Sequence, residues 1–338
     1  PHPSIHSRLT LLGDALDGGY RFVVLGDQRA LADGEWQALV EGITTREKEA
    51  SDSLPLLGVI DTGDIVQNGS HSDQFVMLSS ILNPLREYPY VLSAGNHELN
   101  KNKGEGRPNT VAAMSATMPW ASEDSLWYEY SLPHVRLVIL DTNDLVYGPS
   151  GQGGDPFEHQ RVQRQFLWLE AILAETDERP IMVVMHHPII SSSRKHRRSA
   201  ADLWSLTWRG RTLPEIMADG GVDLILTGHT HTYERFRLKS SGDSTVHLVN
   251  VSGRPRDSFF WWGSGSRRAK DWRGNTIEHL RATGWKNLEG WQIEQESPML
   301  DAQENQWAEL RVYPDGRIDL ETFFLVDKGR DGFRTGDN

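Results

Sequence analysis

Residues 21–27 read RFVVLGD, residues 56–64 read LLGVIDTGD and residues 88–98 read YPYVLSAGNHE. Each is a short run rich in β-branched and aliphatic residues that closes on glycine and a polar side chain, the pattern of a buried strand leading into a loop. The stretches between them, 35–50 and 72–86, carry helical spacing. This alternation of strand and helix is the rhythm of an α/β fold. The second half repeats it in VRLVILDTND (135–144), RPIMVVMHHP (179–188) and VDLILTGHTH (222–231), with helices expected near 158–175 and 200–219. Open α/β sheets bind ligands beyond the carboxyl ends of their strands, so the polar residues that close these runs are placed to converge.

Outward from that core, which spans 21–252, the pattern changes. NQWAELRVYPDGRIDLETFFL (305–325) alternates on both sides of Pro314-Asp315-Gly316 and reads as an antiparallel hairpin over about 306–326. Residues 253–305 carry Trp261, Trp262, Trp272, Trp285 and Trp291, with Arg254, Arg256, Arg267, Arg268, Lys270 and Arg273. They read as a long loop insertion, either a lid or substrate wall, or a flap packed on its own tryptophans.

Composition narrows the class. No apolar run approaches the roughly 20 residues of a membrane-spanning helix. With 35 basic and 47 acidic residues the net charge is −12, which opposes binding to duplex nucleic acid and leaves small anionic substrates open. There is no cysteine, which excludes disulfides, a thiol nucleophile and thiolate metal sites; a metal must be held by His, Asp, Glu, Asn or Gln. The sequence opens at Pro1 rather than methionine, which favours a processed, secreted or periplasmic protein and leaves a cytoplasmic one open. Sequons at Asn68 and Asn250 lie beside the candidate site and in an expected strand, poor places for a glycan.

The run ends supply Gly26-Asp27, Gly63-Asp64, Gly95-Asn96-His97-Glu98, His186-His187-Pro188 and Gly228-His229-Thr230-His231. Carboxylates, imidazoles and an amide oxygen in this mixture make a workable site for two divalent metal ions sharing a carboxylate. Alternate side chains of an extended segment share a side, so His229 and His231 are expected to face one site and His187 to face away from it.

These motifs, in this order from 22 to about 235, resemble the calcineurin-like metallophosphoesterases, and GHTHTYER (228–235) resembles the branch nearest the purple acid phosphatases. The resemblance implies an α/β fold, the metallophosphoesterase-type four-layer α/β/β/α sandwich of two mixed sheets with flanking helices, built by residues 1–338 as a single domain. It implies that Asp27 and His231 bind one metal ion, that Asn96, His186 and His229 bind the other, and that Asp64 bridges the two, with manganese, iron or zinc as the cations. The activity implied is hydrolysis of a small phosphate ester by a metal-held hydroxide, with His97 as the acid at the leaving oxygen, Asn96 also touching substrate, and Glu98 orienting its neighbours.

Two positions depart from the family. A histidine is usual two residues after the first aspartate, and here that residue is Arg29, which cannot ligate a metal. Arg29 is expected to act as a fixed cation on the substrate phosphate and to leave the first metal weaker. At Gln67, three residues after Asp64, purple enzymes carry the tyrosine that colours their iron, so a colourless protein is expected. In SSSRKHRRS (191–199), His196 stands ten residues after His186, where related plant enzymes place a substrate-contacting histidine, and its basic neighbours read as solvated. Alternatives to a phosphatase are a phosphodiesterase acting on nucleotide or lipid-head-group diesters and a noncatalytic phosphate-binding relative; retention of His97 speaks against the latter. Oligomeric state is not encoded in these patterns.

Overall fold

The aliphatic runs form strands because alternate residues have an apolar layer to face on each side. The computed structural model describes residues 2–29, 35–49, 54–103, 106–115, 121–148, 154–191, 196–231, 233–242, 244–251, 278, 280–281, 284–297, 306–325 and 333–335. Along the chain the strands are β1 (Tyr20–Leu25), β2 (Leu56–Asp61), β3 (Tyr90–Leu92), β4 (Tyr128–Leu132), β5 (Val135–Ile139), β6 (Ile181–Met185), β7 (Thr207–Trp208), β8 (Arg211–Thr212), β9 (Val222–Thr227), β10 (Glu234–Ser240), β11 (Thr245–Asn250), β12 (Trp291–Ser297), β13 (Gln306–Val312), β14 (Ile318–Leu325) and β15 (Phe333–Thr335). The helices are α1 (Ile5–Leu12), α2 (Glu35–Glu49), α3 (Ser72–Ile81), α4 (Gly106–Met114), α5 (Asn143–Tyr147), α6 (Gln160–Leu173), α7 (Arg197–Ser205) and α8 (Leu213–Asp219).

Two large sheets result, ordered β15-β14-β13-β1-β2-β3 and β12-β10-β11-β9-β6-β5-β4. Both are mixed. In the first, β1, β2 and β3 run parallel and β13 joins β1 antiparallel. In the second, β5, β6, β9 and β11 run parallel, with β4 antiparallel to β5 on one side and, on the other, β10 antiparallel to both β11 and β12. Side-chain alternation separates two cores. Leu137, Met182, Val184, Leu224 and Leu226 join the cluster shared with β1, β2 and the helices α1 to α3, whereas Val138, Val183, Met185 and Ile225 join the cluster built by α6, α7 and α8. The layers are therefore helix, sheet, sheet, helix. Each fully buried aliphatic side chain contributes about 1.5–3 kcal/mol, and this pins the strand ends that carry the polar residues. Among the described residues no helix is long and apolar enough to cross a membrane.

Two expectations change. The helix expected over 200–219 is interrupted by the ribbon of β7 and β8, which turns at Arg209 and Gly210 with φ of 50° and 81°, the paired positive φ of a tight hairpin. A second helix, α8, then starts on a capping box between Thr212 and Glu215 with Pro214 in its first turn. The loop expected over 253–305 contains a strand: β12 pairs with β10 at the edge of the second sheet. Trp285 and Trp291 are buried, with ring centroids 6.0 and 5.3 Å from that of Trp204, so these two tryptophans pack the outer core. Trp261, Trp262 and Trp272 and the six basic residues from Arg254 to Arg273 lie outside the described residues, as do Arg194 and Lys195.

Candidate metal centre

The carboxyl ends of β1, β2 and β3 in one sheet and of β6 and β9 in the other deliver Asp27, Asp64, Asn96, His97, His186, His187, His229 and His231 to one end of the sandwich. Strand geometry stops short of them. Asp27, Arg29, Asp64, His229 and His231 have φ of 61°, 47°, 60°, 68° and 56°, left-handed conformations that cost of order 1–3 kcal/mol each and cluster at functional sites. His229 and His231 do face one site, but the extended alternation expected to bring them there is absent, because β9 ends at Thr227. Gly95 shows why glycine is needed nearby: a Cβ there would stand 2.3 Å from Asp64 Oδ1 and 2.5 Å from the Asp64 nitrogen.

His186 organises one position. Its Nδ1 lies 2.8 Å from the Thr62 carbonyl; a carbonyl only accepts, so Nδ1 carries the proton and, in the neutral ring, Nε2 presents a lone pair. That Nε2 is 3.2 Å from Asn96 Oδ1, 3.2 Å from His229 Nδ1 and 3.3 Å from Asp64 Oδ1. Two donors on one cation at about 2.0–2.2 Å stand roughly 3.0–3.5 Å apart, and lone pairs that face one another at this spacing repel unless a cation lies between them. Burial, and then the neighbouring histidines, hold His229 well below the usual imidazole range, so it is neutral. Its Nε2 lies 2.9 Å from His196 Nδ1, which lets His229 donate outward and keep its Nδ1 lone pair inward. His196, half-buried, thus stands directly behind His229, with its ring 6.0 Å from that of His231. The neighbouring Arg198 is exposed.

Asp64 lies between two positions. Oδ1 faces His186 and accepts the His97 backbone N–H at 2.9 Å. Oδ2, fully buried, accepts no hydrogen bond among the described residues; it stands 3.6 Å from Arg29 Nη2 and 3.7 Å from His97 Nε2. Burial alone would raise this carboxyl, but neighbouring positive charge, that of Arg29 included, and the His97 backbone N–H outweigh it and hold Asp64 well below the usual carboxylate range. Asp27 Oδ2 accepts the His229 N–H at 2.8 Å, and Asp27 Oδ1 is 3.8 Å from His231 Nε2. Asp27, Asp64 and His186 each bring a donor atom within 4.8 Å of the others, as do His186, His187 and His229.

Neighbouring residues fix this frame. Glu98 is buried and accepts backbone N–H groups from Asp64 and Gly95, both at 2.7 Å, and from Val66 at 3.1 Å; burial and the Asp64 charge push its carboxyl well up. His97, 20% exposed, donates from Nδ1 to the Gln67 carbonyl at 2.5 Å, which turns Nε2 toward Asp64. Gln67 contributes through its backbone, its own side chain lying exposed. His187 does not face away from the site: it is wholly buried, its ring lies 4.8 and 4.4 Å from those of His186 and His229, and its Nδ1 meets Thr142 Oγ1 at 2.8 Å. Both His186 and His187 turn inward because the strand has already ended at Met185. Glu234 ties the loop that carries His229 and His231 to Ser191 and Asn250 at 2.7 Å each. Asn250 is wholly buried, which leaves no room for a glycan.

Comparison with known proteins places this arrangement. Residues 20–233 match the model of the calcineurin-like phosphoesterases. Purple acid phosphatase 18 of Arabidopsis thaliana is 24% identical over 184 residues, covering 50% of this chain and 37% of that protein. Acid phosphatase type 7 of Homo sapiens is 29% identical over 192 residues, covering 52% and 40%. The chain thus spans less than half the length of these curated relatives. In fold it is similar to the purple acid phosphatase PPD1 of yellow lupin, Lupinus luteus, with a TM-score of 0.57 at 17% identity, covering 95% of this chain and 54% of that one. It is also similar to GAP50, the anchor in the inner membrane complex of Plasmodium, with a TM-score of 0.50 at 14% identity, covering 94% and 88%. The chain belongs to the calcineurin-like phosphoesterases, with purple acid phosphatases among its relatives.

Proposed function

We propose that this chain hydrolyses small phosphate esters in a metal-dependent reaction, with a divalent cation held by Asp64, Asn96, His186 and His229. The observation that carries the reading is that Asn96 Oδ1, His229 Nδ1 and Asp64 Oδ1 lie 3.2, 3.2 and 3.3 Å from His186 Nε2, the spacing of donors that share one cation. A fold shared with an anchor protein makes the site, not the fold, its ground. Mixed imidazole and oxygen donors suit manganese, iron or zinc. A cation in this position supplies Lewis acidity, taking up charge on the phosphoryl oxygens and lowering the pKa of a water. A dinuclear centre needs a further cation on Asp27, Asp64 and His231, where Arg29 stands beside the donors.

The protein's own groups complete the chemistry. His97 is fixed through Nδ1, so in its protonated form Nε2–H is the proton offered to the leaving oxygen. Arg29, Asn96 and His196 contact His231, His186 and His229 of the one cluster and would serve there as donors for phosphoryl oxygens. A phosphodiester is favoured as substrate by Arg29, because one positive charge in place of a doubly charged cation suits a monoanionic diester better than a dianionic monoester. Hydrolysis of paired chromogenic mono- and diesters with one leaving group, after loading with manganese or zinc and against a chelated control, tests the reading. Turnover that survives chelation, or that His97→Ala leaves unchanged, would end it.

A further inference from the structure

We infer that this centre holds one divalent cation and that the Arg29 guanidinium takes the place of the other; the inference rests on the metal-dependent reading above. Arg29 Nη2 lies 3.0 Å from His231 Nε2. A guanidinium has donors only and stays charged, so the hydrogen bond runs from Arg29 to His231 and consumes the lone pair on Nε2. A neutral imidazole has one such lone pair. A metal ligated by His231 through that nitrogen needs the same electrons, and at a bond length of about 2.0–2.1 Å it would sit about 1 Å from Nη2, inside the nitrogen itself. The two cations exclude each other.

The guanidinium also meets the bridging carboxylate. The same Nη2 is 3.6 Å from Asp64 Oδ2, while Asp64 Oδ1 faces His186 at 3.3 Å. Asp64 therefore still bridges two positive charges, one a metal position and one an arginine. Arg29 is not a surface side chain that happens to fold in. It is 12% exposed, its φ is 47°, and its backbone N–H donates to the Asp64 carbonyl at 2.9 Å. No replacement donor is at hand from the second departure, since the Gln67 side chain is exposed and its carbonyl is engaged by His97. Of the first position's donors, Asp27 and Asp64 keep oxygen lone pairs and His231 has given its own to Arg29. Two carboxylates and a spent imidazole make a poor site for a transition metal in competition with a tethered cation that never dissociates.

Metal counting on the whole chain decides this without reference to turnover. The purified protein is stripped with chelator, dialysed against manganese, and analysed for metal per chain by inductively coupled plasma mass spectrometry and for electronic state by electron paramagnetic resonance. The wild type is expected to hold one ion with the six-line spectrum of isolated manganese. Arg29→His, which returns a ligand and frees His231, is expected to hold two ions with the broadened spectrum of a coupled pair. Should that variant fail the fold check by circular dichroism, Arg29→Ala frees the same lone pair and is expected to raise occupancy above one. Two ions in the wild type would overturn the inference and leave the metal-dependent function standing; no ion in the wild type would overturn both. A folded Arg29→His that stays at one ion would overturn the role given to the guanidinium.

Discussion

Glu98 offers the sharpest test of how the site is held. Its carboxylate is buried and accepts three backbone N–H groups, Oε2 taking those of Asp64 and Gly95 at 2.7 Å and Oε1 that of Val66 at 3.1 Å. An unpaired buried donor costs about 1–3 kcal/mol, so Glu98→Ala forfeits about 3–9 kcal/mol in gross terms. Burial and the neighbouring Asp64 charge raise this carboxyl, which means that removing it returns part of the loss, and the net falls toward the lower half of that range. Glu98→Gln is the discriminating partner. With its amide oxygen at the Oε2 position it keeps Asp64 and Gly95, and only Val66 then faces another donor, for a loss of about 1–3 kcal/mol. Urea unfolding followed by fluorescence and circular dichroism should show midpoints in the order wild type, Gln, Ala, with unchanged slopes. Against a typical total of about 5–15 kcal/mol, the Ala variant is close to the edge of folding. A Glu98→Ala protein within about 0.5 kcal/mol of wild type, or one no worse than Glu98→Gln, would refute the three-acceptor account.

Other perturbations read different parts of the site. Gly95→Ala brings a Cβ to 2.3 Å from Asp64 Oδ1, so metal binding measured by calorimetry should weaken at least about tenfold, the loss reported when a ligand's supporting contact is removed. His97→Ala should lower kcat on the preferred ester by about 100- to 10,000-fold while metal content by mass spectrometry stays at the wild-type value. The Asp141 carboxyl, which burial would raise, is held low by Arg107 at 2.8 Å and by Asn143. Its stabilisation is present above the unfolded value of about 3.9 and lost as pH falls toward the lower folded value. The stability gap between wild type and Asp141→Asn, read by urea titration at stepped pH, should therefore be widest near neutrality and close in acid.

How far this was legible follows from which signals are local. The strands closing at Leu25, Asp61, Met185 and Thr227 were readable because each is an aliphatic run with a polar stop, and the hairpin of β13 and β14 because it alternates around Pro314-Asp315-Gly316. The strand β12 also alternates, with Trp291, Ile293 and Gln295 buried between exposed Gln292 and Glu294. Its inward glutamine, together with the tryptophans and arginines around it, made the segment look like a loop. The break between α7 and α8 was written in Thr212-Leu213-Pro214-Glu215, a cap followed by proline, and was hidden by the apolar periodicity that runs through both helices.

The convergence of these residues was legible in the sequence and their geometry was not, and the reason is conformational. Residue types and order are properties of sequence; where a side chain points after the strand stops is decided by φ values near +60° at Asp27, Asp64, His229 and His231, a region in which Asp and His are enriched but which they adopt only in a minority of cases. Alternation therefore reached the right answer for the two histidines of the last motif by the wrong route, and gave the wrong one for His187. Arg29 shows the consequence most clearly. From sequence it is a missing ligand, and a missing ligand suggests a weaker metal. In the fold its left-handed backbone and its N–H bond to Asp64 aim the guanidinium at His231 Nε2, so on the inference drawn above the weakened site would be a filled one. On the inference drawn above, a substitution that removes a donor and supplies a cation in the same position would change the charge of the centre by one unit, from two divalent ions to one divalent ion and a guanidinium, and this charge difference, rather than the loss of one bond, would favour a monoanionic over a dianionic ester.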